Sequence, residues 1–353
     1  MKKIKKIFLN DKIMPLDLFL DRVLYDKKVG YYQNKNPFGI KGDYITAPNI
    51  SKLFCEMISI WIVSFWENLD KPKKFNFVEL GPGNGDFCLV LLETLKNFPE
   101  TYKAINIFLY EKSNKLRKIQ KKRIISKKVF WLQNLKKIKD GPVIFFGNEF
   151  LDALPIKQFK KINNKFFEKY VVFKNNQINF LFKKAIKKEI AKLKSFKLLN
   201  NSGLIEYPEY GFREMDVICE KVKKLNGGIL FIDYGYKYQK NINSLQSVIR
   251  HKLNNIRKNL GNADITSLVN FELYKEYFNS NNLIVEKIIS QSKFLQKMGI
   301  IKRYEIASNK MNNKDKTNLY LRVKRLIDPK LMGENFKVIF AKNKKCSFSL
   351  PFN

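Results

Sequence analysis

The stretch that decides the fold is Phe77-Val78-Glu79-Leu80-Gly81-Pro82-Gly83-Asn84-Gly85. An apolar run of strand length ends on Glu79, glycines follow at alternate positions, and Phe87–Leu95 has the pattern of a helix. Glycine lets the backbone turn sharply and lets a ligand lie close to it. The first turn of the helix adds unpaired N–H groups and a partial positive charge. The stretch therefore predicts a strand–loop–helix unit that binds a nucleotide-like cofactor.

Short apolar runs on both sides of this loop predict further strands of one sheet. They alternate with helical stretches, and several are apolar throughout, which is typical of parallel strands covered by helices on both faces. The predicted strands are Phe75–Leu80, Ile105–Tyr110, Val129–Leu132, Val143–Phe146, Gly228–Asp233, Leu283–Ile289 and Phe336–Ala341. The order strand–helix–strand predicts a doubly wound α/β sheet.

The pattern of helical and strand-forming residues divides the chain into two parts. Residues 1–70 predict a helical N-terminal module that carries a loop over 36–49, rich in glycine and proline, and residues 71–353 predict the sheet domain. Inside that domain, Asn-Asn pairs separate alternating aromatic runs, which predicts an antiparallel β-meander inserted at 156–215. A second, helical insertion is expected at 240–280.

Composition excludes several classes of protein. Hydrophobic residues make up 45% and aromatic residues 14% of the 353 residues, which excludes a disordered chain. The cysteines are too far apart for a zinc site or a disulfide framework, so we expect no metal and a reducing compartment. The apolar run Ile58–Trp66 is shorter than the ~20 residues that span a bilayer. The basic start lacks a hydrophobic segment, so we expect no signal peptide.

The net charge of +36, from 68 basic and 32 acidic residues, has two interpretations. One is nucleic-acid binding. The other is a compositional bias toward lysine, asparagine, isoleucine and phenylalanine at tolerant surface positions. The basic runs are scattered along the whole chain, which favours the second interpretation. We therefore expect no specific nucleic-acid partner, only weak and salt-sensitive attraction to anionic surfaces.

Two nucleotide-like cofactors compete for the glycine loop. A dinucleotide fingerprint, G-x-G-x-x-G/A, needs a small third residue where the chain has Asp86. The pattern Glu-x-Gly-x-Gly-x-Gly is instead similar to motif I of class I methyltransferases, Rossmann-like enzymes that use S-adenosylmethionine. The expected cofactor-binding residues of this loop are Glu79, Gly81, Gly83 and Gly85. Glu111 ends the next predicted strand, where a carboxylate can accept from both ribose hydroxyls.

Further segments resemble one narrower family, the MidA methyltransferases of mitochondria and bacteria, which are linked to assembly of respiratory complex I. They occur in family order over nearly the whole chain: Gly42–Pro48, Asn148–Pro155, Asp233–Gly235, His251–Leu253, Asn262–Thr266, Phe294–Gly299 and Met332–Glu334. The chain departs from the family at two places. The family usually has Gly-Arg-Gly-Thr where this chain has Gly83-Asn84-Gly85-Asp86, and a glutamate where it has Asn49.

The resemblance implies a protein-arginine methyltransferase that makes symmetric ω-dimethylarginine, with the quinone-proximal core subunit of complex I as its protein substrate. It also implies that Asp43, Thr46 and Pro48 lie on a loop beside the cofactor. Eukaryotic relatives would lie in the mitochondrial matrix, and a bacterial source implies the cytoplasm. A homodimer is an option that the sequence leaves open.

Methylation of arginine requires carboxylates that orient a planar, permanently charged guanidinium. Glu149 and Asp152 follow the strand Val143–Phe146, at the sheet edge where Glu79 and Glu111 also emerge, so we expect them to be catalytic. Asp152 could equally cap a helix. His251, the only histidine, is a candidate proton acceptor. The candidates for substrate binding are Glu206, Glu209, Asp233 and Tyr234.

Three other functions remain open at this point. An RNA methyltransferase is favoured by the charge, but the chain lacks an Asn-Pro-Pro-Tyr or paired-cysteine signature after the fourth strand. A non-catalytic assembly chaperone could keep the fold, but Glu79 and Glu111 are both present. A NAD-dependent dehydrogenase is disfavoured by Asp86.

Overall fold

The structure is a computed structural model that describes residues 6–9, 11–39, 42–200, 203–238 and 243–353. The predicted N-terminal module, the predicted loop 36–49 and the predicted insertion 240–280 each include residues outside these ranges.

The strands are β1 Ile13–Pro15, β2 Phe75–Leu80, β3 Ile105–Tyr110, β4 Val129–Leu132, β5 Val143–Asn148, β6 Lys157–Ile162, β7 Lys165–Lys174, β8 Gln177–Lys184, β9 Leu204–Tyr207, β10 Gly228–Tyr236, β11 Gln246–Ile249, β12 Lys252–Asn254, β13 Asp264–Thr266, β14 Val269–Asn270, β15 Ile284–Val285, β16 Ile289–Ser290 and β17 Phe336–Lys342. The α-helices are α1 Leu16–Tyr25, α2 Tyr31–Asn34, α3 Ala47–Ile50, α4 Lys52–Asn68, α5 Asp86–Leu95, α6 Pro99–Ala104, α7 Asn114–Arg123, α8 Lys187–Ser195, α9 Glu209–Leu225, α10 Phe271–Ser280, α11 Gln291–Lys297, α12 Ile300–Ser308, α13 Asn313–Ile327 and α14 Met332–Asn335.

The central sheet confirms the predicted α/β fold. Its strand order is β15-β17-β10-β5-β2-β3-β4, and the five strands from β10 to β4 are parallel. β17 pairs antiparallel with β10. The predicted bounds of β2, β3 and β4 match the structure, whereas β5 and β10 extend beyond their predicted ends. The C-terminal ends of the parallel strands meet at one edge, which is where ligands bind in such sheets.

Two layers of helices cover the sheet because successive strand residues point to opposite faces. Phe77 belongs to the core that also contains α4 and α5, whereas Val78 belongs to the core under α9 and α10. Most of α4 is buried, as expected for a helix that is apolar on nearly every side. Both faces of the sheet are therefore rigid supports for the loops at its C-terminal edge.

The predicted strand Leu283–Ile289 is wrong as a continuous element. The segment forms two short strands, β15 and β16, which pair with opposite ends of β17. Between them Glu286 points at Lys342, whose ammonium is buried 2.5 Å from the Glu286 carboxylate. A buried lysine needs a carboxylate partner, and the strand is interrupted where that partner stands.

The antiparallel meander is present as β6, β7 and β8, joined by two-residue turns at Asn163-Asn164 and Asn175-Asn176. These asparagines have positive φ, which two-residue hairpin turns require and asparagine tolerates. β9 adds to one side of the meander, and β1 pairs with β7 through Ile13 and Val172.

The residues before the predicted boundary at residue 70 pack in two different cores. β1 and α1, which precede residue 70, pack on the meander in a core of their own, whereas α4 packs in the core of the central sheet. Residues before 70 are therefore shared between two parts of the fold.

The predicted helical insertion at 240–280 is also wrong over most of its described length. β12, β11 and β13 form a small antiparallel sheet, and only α10 is helical. The β-branched residues Val248 and Ile265 explain this, because they favour a pleated surface. Ile265 is buried beneath α1 in the same core as Leu20.

Candidate active site

A crevice opens above the C-terminal ends of β2, β3 and β5, and it has two connected parts. The larger part, the tyrosine cleft, encloses about 810 Å³ and is lined by Tyr25, Tyr32, Tyr44 and Tyr110 among others. The smaller part, the glycine cleft, encloses about 460 Å³ above the glycine loop. Five residues line both parts and therefore form their junction: Phe38, Thr46, Gly81, Gly83 and Glu149.

The glycine loop has the backbone that its sequence predicts. Gly81 and Gly83 have φ of +65° and +53°, a region that residues with a side chain rarely adopt. A Cβ added to Gly83 would lie 3.3 Å from the ring of Phe38, which covers the loop. Both glycines therefore leave room at the junction of the two clefts.

Gly85 has a different role from the other two glycines. It lines neither cleft, and a Cβ there would lie 2.6 Å from the side chain of Ile124, just beyond α7. It also precedes α5 as the N-cap residue with φ of +80°. Gly85 therefore has a packing role, since it lets the loop approach α7, and a contact with the cofactor stays a prediction.

A buried glutamine, which sequence reasoning missed, supports the glycine loop from below. Gln120 Nε2 donates to the Gly83 carbonyl at 2.8 Å, and Trp131 Nε1 donates to Gln120 Oε1 at 3.0 Å. Because Gln120 is completely buried, its orientation is determined by these two bonds.

The floor of the glycine cleft contains buried acceptors that lack partners. Glu79 Oε2, Asn84 Oδ1 and Asn148 Oδ1 have no hydrogen-bond partner among the described residues, and all three residues line the cleft. Burial, followed by the charges of Asp86 and Glu111, raises the pKa of Glu79 to about 8. Unpaired buried acceptors are costly, so this cleft suits a ligand that supplies hydrogen-bond donors.

Glu111 stands at the end of β3 and lines the tyrosine cleft. It accepts from the backbone N–H of Ser113 at 2.6 Å, which fixes the carboxylate. Burial raises the pKa of Glu111 to about 7 although this hydrogen bond opposes the shift.

Glu149 follows β5 and has the left-handed φ of +51°. Such a conformation costs a non-glycine residue about 1–2 kcal/mol and is typical of functional sites. Its carboxylate accepts from the backbone N–H of Ala47 at 3.2 Å and from Asn148 Nδ2 at 3.1 Å. Burial, followed by the charge of Asp233, raises the pKa of Glu149 to about 7. The strained turn places this carboxylate where the two clefts meet.

Asp152 lines the tyrosine cleft and begins no helix, since residues 151–154 form a turn. Burial, followed by the charges of Glu149 and Asp264, raises the pKa of Asp152. Asp233 lies below this turn: its Oδ2 accepts from the backbone N–H groups of Leu151 and Asp152, at 2.7 and 3.3 Å.

The predicted substrate-binding residues Asp233 and Tyr234 lie outside the crevice. Asp233 is completely buried and lines neither cleft, so it positions the turn that carries Asp152. The ring of Tyr234 packs on Phe336 at 5.6 Å.

Glu206 and Glu209 are also not brought to the crevice. Glu206 accepts from Gln158 Nε2 at 2.7 Å and from Ser244, and Glu209 forms ion pairs with Lys157 and Lys192. Although burial opposes the shift, the hydrogen bond and charge of Lys192 lower the pKa of Glu209 to about 2. These acids are engaged inside the fold because β9 pairs with the meander, away from the ends of the central strands.

His251 is an exposed turn residue and lines neither cleft. Arg250 and His251, both with positive φ, form the two-residue turn between β11 and β12. The candidate proton acceptor His251 is therefore not brought to the crevice.

The predicted loop reaches the crevice at two of its three expected residues. Thr46 lines both clefts and Pro48 lines the glycine cleft, whereas Asp43 is buried behind the loop. Asp43 accepts from Tyr31 Oη at 2.6 Å, from Lys35 Nζ at 2.7 Å and from the backbone N–H of Arg250 at 2.6 Å. It holds the loop against α2 and against the β11–β12 hairpin.

Sequence reasoning missed the aromatic wall and one carboxylate of the tyrosine cleft. The rings of Tyr25 and Tyr32 stack at 5.4 Å, and Tyr32 Oη donates to Asp264 Oδ2 at 2.9 Å. Tyr44 and Asp264 stand inside segments already noted in the sequence, Gly42–Pro48 and Asn262–Thr266. No spacing rule separates them from structural residues, because their neighbours come from distant parts of the chain.

The tyrosine cleft is lined mainly by acidic residues, although the molecule as a whole is basic. Its lining includes the carboxyl groups Glu111, Glu149, Asp152 and Asp264 and one ammonium, that of Lys112. Lys112 is itself ion-paired with Glu214. An electronegative cleft in a chain of net charge +36 is suited to a cationic guest.

Four features define a class I methyltransferase: the parallel sheet, the glycine loop after β2, the acid at the end of β3 and the carboxylates after β5. A family model described as "Putative S-adenosyl-L-methionine-dependent methyltransferase" matches residues 57–289. The chain belongs to this family, which confirms the resemblance to the MidA methyltransferases.

Relatives and solved structures agree with this assignment. The chain is 26% identical to the "Protein arginine methyltransferase NDUFAF7 homolog, mitochondrial" of Drosophila melanogaster, over 96% of this chain and 83% of that protein. It is 30% identical to the Caenorhabditis elegans protein of the same description, over 77% of this chain and 70% of that protein. A Burkholderia thailandensis crystal structure bound to S-adenosyl-homocysteine superposes with a TM-score of 0.81 at 24% identity, covering 96% of this chain and 90% of that one.

The protein is therefore a methyltransferase whose cofactor is S-adenosylmethionine. The residues present fit this group: Glu111 would hold hydroxyls, and the unpaired acceptors of the glycine cleft suit an ammonium donor. Among the described residues, none of the helices combines the length and the apolarity needed to cross a bilayer.

Proposed function

We propose that this protein transfers methyl groups from S-adenosylmethionine to arginine side chains of a protein. The observation that carries the proposal is the position of Glu149, the one carboxylate of the described residues that lines both clefts. Because Glu111 and the glycine loop would place the cofactor along parts of both clefts, a group at their junction is placed to contact an acceptor beside the reacting methyl.

The charge of the crevice supports a cationic acceptor. A guanidinium is always protonated and donates through a planar fork, which matches carboxylates such as Glu149 and Asp152. An RNA strand would bring phosphates toward a cleft lined by four carboxyl groups and one paired lysine. The electrostatics therefore favour arginine over RNA.

The reaction must release one proton for each methyl group transferred. The cofactor supplies an electrophilic methyl on a sulfonium and leaves as a neutral thioether. The attacking guanidinium nitrogen forms a bond to carbon and gives up a proton, so the product stays a cation. Because the pKa of Glu149 is raised to about 7, its carboxylate is suited to hold that proton near neutral pH.

The finer features of the proposal come from the family. The relatives described as protein arginine methyltransferases support the substrate class. The resemblance supports symmetric ω-dimethylarginine as product and the quinone-proximal core subunit of complex I as substrate. A cytoplasmic location in a bacterial source and a homodimer stay predictions, and sedimentation velocity tests the second.

The test is mass spectrometry of that subunit after incubation with the purified protein and S-adenosylmethionine. We expect one arginine to gain 28 Da, the net mass added when two methyl groups replace two hydrogens, and we expect no change with the Gly83→Val variant. An arginine unmodified in both samples would remove this substrate and leave the family assignment in place. Methylation of added RNA in the same assay would promote the RNA methyltransferase.

A further inference from the structure

We propose that Asp264, with the stacked rings of Tyr25 and Tyr32, is the site in the tyrosine cleft that selects a cationic substrate side chain. The inference rests on the proposed function, because it assigns a specificity-determining residue to the acceptor of that reaction. It adds a carboxylate that reaches the crevice from outside the central sheet.

Asp264 is held rigidly, with its carboxylate facing the cleft. It is the first residue of β13, only 2% exposed, and it lines the tyrosine cleft. Its Oδ1 accepts from the backbone N–H of Ile265 at 2.8 Å, and its Oδ2 accepts from Tyr32 Oη at 2.9 Å. Each carboxylate oxygen has two acceptor positions, so both oxygens retain capacity for a guanidinium fork.

The two tyrosines provide a flat surface beside the carboxylate. Their rings are nearly parallel, with 19° between planes, and their centroids lie 5.4 Å apart. Tyr25 Oη donates to the carbonyl of Ala153 at 2.8 Å, which fixes the first ring, and Asp264 fixes the second. A cation near such ring faces gains attraction, more so where water is excluded.

No described lysine or arginine forms an ion pair with Asp264. Lys35, which acts on Asp264 electrostatically, has its Nζ 2.7 Å from Asp43, and Lys112, which lines the same cleft, is paired with Glu214. Burial raises the pKa of Asp264 to about 7, against the hydrogen bonds from Tyr32 and Ile265. A cationic side chain would supply the missing countercharge and draw the carboxyl into its ionised form.

Asp264 and the charged and titratable groups around it shift one another's pKa values. Asp43 raises the pKa of Asp264, whereas Lys35 lowers it. Asp264 in turn raises the pKa of Asp152, Tyr31 and Tyr44, so these groups stay neutral longer as pH rises. Substrate binding should therefore be linked to ionisation of the cleft.

The topology explains why this carboxylate determines specificity rather than transfer. The central sheet carries the glycine loop, Glu111 and Glu149, whereas Asp264 comes from the small sheet β12-β11-β13. That sheet is attached to the loop that carries Asp43, because the backbone N–H of Arg250 donates a hydrogen bond to the Asp43 carboxylate. The acceptor wall therefore combines Asp264 of this small sheet with Tyr25 of α1 and Tyr32 of α2, all outside the central sheet.

The test is calorimetric binding of three tripeptides to protein saturated with S-adenosylhomocysteine. The probes are acetyl-Gly-Arg-Gly-amide, its neutral citrulline analogue and acetyl-Gly-Lys-Gly-amide. We expect the unaltered protein to bind the arginine peptide at least about 10-fold more tightly than the citrulline peptide, because charged hydrogen bonds are lost. Because Glu149 and Asp152 also line the cleft, Asp264→Asn should reduce this preference about 10-fold rather than remove every charged contact, without changing the affinity for S-adenosylhomocysteine. Asp140→Asn, at an exposed aspartate paired with Lys74, is the matched control and should keep the preference.

A second variant keeps the test valid if Asp264→Asn is unstable. Tyr32→Phe removes the hydroxyl that fixes Asp264 and leaves the ring, so we expect the arginine preference to fall a few-fold. For the unaltered protein, binding of the arginine peptide should tighten as pH rises through about 7.

The outcomes separate this inference from the proposed function. An Asp264→Asn variant that is folded and keeps the full preference for arginine over citrulline would overturn the inference, and so would an unaltered protein without that preference. Arginine methylation in either case would leave the proposed function in place. A preference for the lysine peptide that Asp264→Asn abolishes would support Asp264 and contradict arginine as the acceptor.

Discussion

Asn49 and Asp86, two of the three residues at which this chain departs from the pattern of its family, contact each other. Asn49 Nδ2 donates to Asp86 Oδ2 at 2.6 Å. Arg123 completes the cluster, since its Nη2 donates to Asp86 Oδ1 at 2.6 Å and its Nη1 to the Asn84 carbonyl at 2.7 Å. The cluster joins α3, at the end of the predicted loop 36–49, to the glycine loop and to α7. The two departures are therefore one structural feature, a polar contact that closes the glycine cleft.

Breaking this contact should weaken cofactor binding. Asp86 and Arg123 are partly exposed, so solvent screening limits the effect to about 1 kcal/mol, or roughly a 5-fold rise in Kd. We expect Asp86→Ala and Asn49→Ala to raise the Kd for S-adenosylhomocysteine by this amount, measured by calorimetry. The double variant should cost less than the sum, because the residues share one contact. Glu93→Ala, which breaks the exposed pair with Lys52, should leave the Kd unchanged.

A side chain at Gly83 should abolish cofactor binding. Its Cβ would meet Phe38 at 3.3 Å, and its φ of +53° adds strain. Gly299 is the matched control, because it has φ of +88° and an added Cβ there meets nothing within 4 Å. Gly83→Val should lose S-adenosylhomocysteine binding while Gly299→Val, equally strained, keeps it. Normal binding by folded Gly83→Val would show that the glycine loop is wrongly assigned.

Stability should fall as pH rises from about 4.5 to about 8. Glu79 has its pKa raised from 4.5 to about 8, so between these values the folded state binds a proton that the unfolded state has lost. The free energy of unfolding therefore falls by about 1.4 kcal/mol per pH unit for each such group. Urea denaturation of the ligand-free protein at several pH values measures it. Glu79→Gln should make the slope shallower, and an unchanged slope would contradict the buried, protonated state of Glu79.

The sequence was sufficient for the sheet but not for the whole crevice. β2, β3 and β4 were predicted to the residue, because apolar runs and glycines are local signals. Glu79, Glu111 and Glu149 were placed at one edge because parallel strands end there together. Asp264 and Tyr25 were missed because their neighbours lie far away in the chain. His251 and Glu209 were misplaced for the same reason, since a two-residue turn and the pairing of β9 direct them elsewhere.

The basic surface should bind RNA only weakly. Basic runs are spread over the chain, whereas the crevice itself is lined by acids. Basic side chains on the outside of the protein would therefore contact RNA through its phosphates. We expect fluorescence anisotropy to give equal affinities for unrelated single-stranded RNAs, falling steeply with salt. A strong preference for one RNA at physiological salt would contradict this interpretation of the charge.

The role of Glu149 at the reacting centre is tested by the rate of methyl transfer by Glu149→Gln at saturating S-adenosylmethionine. The variant keeps the shape of the side chain but removes its charge and its ability to hold a proton. If Glu149 contacts the reacting guanidinium, the loss of one charged hydrogen bond should slow transfer roughly 10–150-fold. The Kd for S-adenosylhomocysteine should stay close to that of the unaltered protein, and the exposed variant Glu100→Gln should transfer at the normal rate. A Glu149→Gln protein that methylates arginine at the full rate would contradict the account.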